Sequence, residues 1–90
     1  MYRVEVAPGA ERDIRKLGQR ASRDDFERLR QAVGGLAQGP RPEGARKLKG
    51  ARSAYRIRVG DYRIVYNIYD DQDLVLLLHV GRRNEGTYRE

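Results

Sequence analysis

Tyr55-Arg56-Ile57-Arg58-Val59-Gly60-Asp61-Tyr62-Arg63-Ile64-Val65-Tyr66 is the stretch whose reading decides the fold. Apolar and cationic residues alternate on both sides of Gly60-Asp61, the pattern of two short β-strands joined by a tight turn. Successive side chains of a strand point to opposite faces. Tyr55, Ile57 and Val59 therefore share one face, and Arg56 and Arg58 the other. On the second strand Tyr62, Ile64 and Tyr66 fall together, with Arg63 opposite. If the apolar sides meet a common core, three guanidinium groups emerge on the far side of one sheet. That surface suits phosphate, because arginine presents a planar fork of donors matched to phosphate oxygens.

Working outward, Tyr2 to Ala7 alternates like a strand, and Pro8 suits the first turn of a helix. Ala10, Ile14 and Leu17 recur at helical spacing, with Gly18 as the expected stop. Ser22 caps a second helix whose buried stripe is Phe26, Leu29, Val33 and Leu36. Residues 38–44 read as a loop, and Asp70-Asp71-Gln72-Asp73 as a turn. Leu74 to Val80 is apolar on both faces, as a central strand would be. The order β-α-α-β-β-β predicts one α+β domain over residues 1–90. Two N-terminal helices would pack on one face of a small twisted antiparallel sheet. Arg56, Arg58 and Arg63 would stand on the uncovered face, and a one-residue slip in register would invert that.

Charge sharpens the picture. The chain carries a net +6. Residues 45–69 hold seven basic side chains against the single acid Asp61, so this segment contains the whole surplus. A local excess on an otherwise balanced body points to a defined anionic partner, nucleic acid first. The absence of cysteine excludes disulfides and thiolate metal sites. No apolar run approaches membrane-spanning length and no leader pattern is visible, so a cytoplasmic location and no membrane partner are expected. Asp70, Asp71 and Asp73 are read as ordinary turn chemistry rather than metal ligands, and no metal or cofactor is expected. His79, inside an apolar strand, is read as a hydrogen-bonded structural residue, with a supporting role behind Arg83 left open.

Lys47-Leu48-Lys49-Gly50, Tyr55-Arg56-Ile57-Arg58, Asp61-Tyr62-Arg63-Ile64-Val65-Tyr66, Val80-Gly81-Arg82-Arg83 and Tyr88 together resemble the RelE/ParE superfamily of toxins. The resemblance spans nearly the whole chain, and the Gly-Arg-Arg…Tyr tail is closer to the RelE branch. It implies a toxin of a type II toxin-antitoxin system, a metal-independent messenger-RNA endoribonuclease acting at the ribosome. It also implies a cognate antitoxin that wraps the toxin in a hetero-oligomer. By the same match Arg63 and Arg83 would stabilise the scissile phosphate, and Tyr88 would stack on the nucleotide and join in proton transfer. Lys47, Lys49, Arg56, Arg58 and Arg82 would contact RNA.

Such a cleavage has the 2′-hydroxyl attack the adjacent phosphate, giving a 2′,3′-cyclic phosphate and a 5′-hydroxyl. It needs a proton acceptor, cations at the phosphorane and a donor to the leaving oxygen. The sequence departs from the family pattern at Arg56 and Arg58, where the best-known RelE-type enzymes carry lysines. A guanidinium cannot act as a base near neutrality, which leaves Tyr88 as the acceptor on the matched set. Two other readings share the fold: a ParE-like inhibitor of DNA gyrase, and a non-catalytic RNA-binding module.

Overall fold

The computed structural model describes residues 1–83. Its elements run β1 (Arg3–Val6), α1 (Pro8–Arg20), α2 (Arg23–Gln38), β2 (Arg46–Lys47), β3 (Ala54–Val59), β4 (Tyr62–Tyr69) and β5 (Leu74–Arg82). A 3-10 turn at Asp70–Gln72 joins the last two strands. The α+β class is the expected one, with β2 added. The sheet, however, is mixed rather than wholly antiparallel. Its order is β1-β5-β4-β3-β2, and β1 pairs with β5 in parallel from Arg3↔Leu74 to Val6↔Leu77. The two helices form the crossover that parallel pairing requires. β5 therefore lies between β1 and β4, which is why its sequence is apolar on both sides.

Local chemistry sets the helix ends. Pro8 opens α1, and Ser22 Oγ accepts a hydrogen bond from the Asp25 amide at 3.1 Å to cap α2. Gly18 does not end α1, which runs on to Arg20, and α2 passes through Gly34-Gly35 to Gln38. Packing outweighs the roughly 1 kcal/mol that a helical glycine costs. Ala10 of α1, with Leu29 and Leu36 of α2, meets Ile57, Tyr62, Ile64, Tyr66, Ile68, Val75, Leu77 and Val80 in the main core. Both helices thus cover the face that alternation assigned to the tyrosines and isoleucines. The Tyr66 hydroxyl donates to the Pro40 carbonyl at 2.8 Å and so pins the loop after α2.

The opposite face is less open than expected. Leu48, Ala54 and Val65 form a second small core there, with Ala51 and Leu78 against it. The Leu48 amide donates to the Ala54 carbonyl at 2.9 Å, continuing the β2–β3 ladder, and the side chains of Leu48 and Ala51 bring the segment after β2 onto this face. Arg56 and Arg63 lie on this face as the alternation requires. They do not stand out in solvent, being only 4% and 6% exposed, whereas Arg58 is exposed.

A candidate phosphate-binding cleft

Gly60 and Asp61 make the two-residue turn between β3 and β4, with Val59 paired to Tyr62 across it. Gly60 has φ +58°, and Asp61 is not among the positive-φ residues, so the turn is of type II′. That geometry fixes the register in which Arg58 stands directly across from Arg63. Like charges in that relation are destabilising, so the pair marks a place where stability has been traded for a concentrated positive field.

A β-bulge brings the rest of the site together. Val65 is paired with His79 but Tyr66 with Leu77, so Leu78 is an extra residue in β5. Strict alternation would put Leu77 and Val80 on opposite faces, yet both belong to the main core. Beyond the bulge, Gly81 faces Arg63 and Arg82 faces Tyr62. Position 83 thereby returns to the parity of Gly81, toward the face of Arg58 and Arg63. The Arg83 amide donates to the Asp61 carbonyl at 2.9 Å, closing the end of β5 against the turn. Arg82 lies with its guanidinium carbon 5.5 Å from the centre of the Tyr62 ring.

The result is an open cleft of roughly 480 Å³ lined by Arg58, Asp61, Arg63, Arg82 and Arg83. Four guanidinium groups from three strand ends converge on a volume large enough for a phosphodiester with its flanking sugars. Arg63 is both buried and cleft-lining, as a donor held in the floor would be. Of the other basic residues singled out from the sequence, Lys47 and Lys49 are exposed on β2 and the turn after it. Arg56 is buried away from the cleft lining, its Nη1 donating to the Gly44 carbonyl at 3.3 Å. Tyr88 lies outside the described residues.

Behind the cleft, α1 grips β5 through a single carboxylate. Asp13 Oδ2 accepts from the Val80 amide at 3.0 Å and lies 2.8 Å from Nδ1 of His79. His79 is thus the hydrogen-bonded structural residue its apolar context implied, set just before the arginines. At the far end of β4, Asp70 accepts from the Tyr2 hydroxyl at 2.7 Å and from Arg41 Nη2 at 2.8 Å. Arg41 above all, and Tyr2 after it, hold the Asp70 carboxyl below the usual carboxylate range. Asp70 therefore serves the fold, tying the turn to β1 and to the loop after α2. Among the described residues no cluster of three histidine or acidic side chains could hold a metal ion.

Sequence reasoning missed two features. The bulge leaves no mark in an all-apolar strand. Asp61 was read only as a turn residue, although its isolation among seven basic neighbours was the available signal.

Known proteins bear on this geometry. The family model described as the ParE toxin of the type II toxin-antitoxin system parDE matches residues 4–86. The messenger-RNA interferase toxin RelE of Escherichia coli is 31% identical over 84 residues, covering 91% of this chain and 83% of that protein. The isolated E. coli RelE toxin superposes with a TM-score of 0.75 at 26% identity, over 94% of this chain and 89% of that one. The toxin-antitoxin complex RelBE2 from Mycobacterium tuberculosis gives a TM-score of 0.73 at 27% identity, over 91% and 98% of the two chains.

Proposed function

This chain belongs to the ParE toxin family of type II toxin-antitoxin systems, and within it we propose a RelE-type endoribonuclease that cuts messenger RNA on the ribosome. The observation that carries this reading is the convergence of Arg58, Arg63, Arg82 and Arg83 on one cleft. Four fixed cations suit the extra negative charge of a pentacoordinate phosphorane better than the singly charged ground state. Similarity to a protein named as a messenger-RNA interferase supports the same choice.

In this mechanism Arg63, held in the cleft floor, and Arg83, held by the turn, grip the non-bridging oxygens. Arg58 and Arg82 bind the flanking backbone, and Lys47 and Lys49 extend the basic surface along the sheet edge. Arg56 shapes the field from within the sheet. Tyr88 stacks on a nucleotide. The 2′-oxygen displaces the 5′-oxygen in line, leaving a 2′,3′-cyclic phosphate and a 5′-hydroxyl, with no metal ion in the chemistry. The complexes formed by relatives support a cognate antitoxin as partner. The ribosome is the second partner and the cytoplasm the place of action. Residues 1–90 act as one toxin domain.

Translating ribosomes with a defined message, and primer extension to map new 5′ ends, test the reading. We expect cuts within codons that Arg83→Ala reduces at least ~100-fold without loss of fold. The family model's ParE description favours one competing reading: intact message with inhibited gyrase would replace the nuclease with a topoisomerase poison.

A further inference from the structure

Four arginines bind a phosphate but cannot start its cleavage. The attacking 2′-hydroxyl must lose a proton, and a guanidinium has five donors and no acceptor. Among the described residues that line the cleft, one is of the opposite kind, the acid Asp61. It sits in the turn two residues before Arg63, and its carbonyl is tied to the Arg83 amide at 2.9 Å. None of the ion pairs formed among the described residues uses it.

Turn geometry does not call for an acid at this position. In a type II′ turn the special conformation belongs to the first central residue, which is Gly60 at φ +58°. Asparagine, serine or threonine would serve as well at the second. Nor does phosphate binding call for one, since a carboxylate in an anion site opposes the ligand. An acid that opposes binding, lining the same cleft as the two arginines assigned to the phosphate, has the chemistry of a base.

Resting on the nuclease reading, we infer that Asp61, in place of the Tyr88 that the family match left in this role, is the proton acceptor for the 2′-hydroxyl. Its carboxylate takes the 2′-proton as the oxygen lone pair forms the O2′–P bond. The P–O5′ bond breaks, its electron pair leaves on O5′, and that oxygen takes a proton from solvent. Asp61 then returns its proton to solvent, so the transesterification balances without water being consumed. Among the described residues the charged groups around Asp61 are Arg58 on β3, Arg63 on β4, and Arg82 and Arg83 at the end of β5. From α2, Arg28 Nη1 reaches within 3.6 Å of where a β-carbon on Gly60 would stand.

The test is Asp61→Asn, which keeps the turn and removes the base. Single-turnover cleavage on translating ribosomes should fall by roughly 100-fold or more. Affinity for the same message carrying a 2′-O-methyl group at the cut site should stay equal or rise, because a repulsive charge has gone. Asp61→Glu should recover part of the rate. Cleavage by Asp61→Asn within about three-fold of wild type, or a rate loss matched by a lower melting temperature and weaker binding, would overturn the assignment while leaving the nuclease intact. A wild-type protein that cuts nothing would remove both.

Discussion

Arg63 carries the largest difference between a surface reading and the folded chain. Alternation placed it on the correct face, but the expectation of an exposed side chain implied that its loss would cost little stability. At 6% exposed it is part of the interior. Truncation leaves a void where the side chain was buried, while relief from Arg58 across the strand returns only part of that. Arg63→Ala should therefore lower stability by about 1–3 kcal/mol in denaturant melts, as well as abolishing cleavage. Tyr66 offers a second check at this scale. Burial, and after it the neighbouring Tyr55, push its hydroxyl up to about 12 from the ordinary 10.0. Between those values the native state keeps a proton that the unfolded state has lost. Stability should thus fall as pH rises from about 10 through about 12, and Tyr66→Phe should remove that part of the decline.

Two devices act between elements. The bulge at Leu78 is the joint that lets one strand serve both the main core, through Leu77 and Val80, and the cleft, through Gly81 and the arginines after it. Asp13 holds α1 to that joint by receiving the Val80 amide and facing His79. Asp13→Ala removes the acceptor from a partly buried amide, which costs about 1–3 kcal/mol. It also loosens the end of β5, so hydrogen exchange at residues 79–83 should speed up more than at β3 or β4. Uniform acceleration across the sheet would show that Asp13 supports only global stability. A sequence without alternation gives no sign of a bulge, and a helix-borne aspartate gives no sign of which strand it will meet.

On the scale of the whole molecule, the net charge of +6 is gathered in residues 45–69, and the sheet brings two arginines of that segment together with Arg82 and Arg83 at one cleft. Each phosphate neutralised releases condensed counterions, so binding to single-stranded RNA should weaken steeply with salt, by about 0.7 in the log–log slope per contact. Three to four contacts at the cleft give a slope near −2 to −3. A flat salt response would mean that the arginines serve packing alone. The sequence by itself determined the α+β class, the facing of the hairpin and the location of the positive field. Those follow from local periodicity and from charge, which each residue carries wherever it folds. Only the tertiary structure decided that β1 runs parallel to β5, that Arg56 and Arg63 are buried, and that Arg83 and Asp61 meet Arg63. These are contacts between residues distant along the chain. They depend on a crossover, a one-residue bulge and a folded-back segment, none of which any single stretch of sequence encodes.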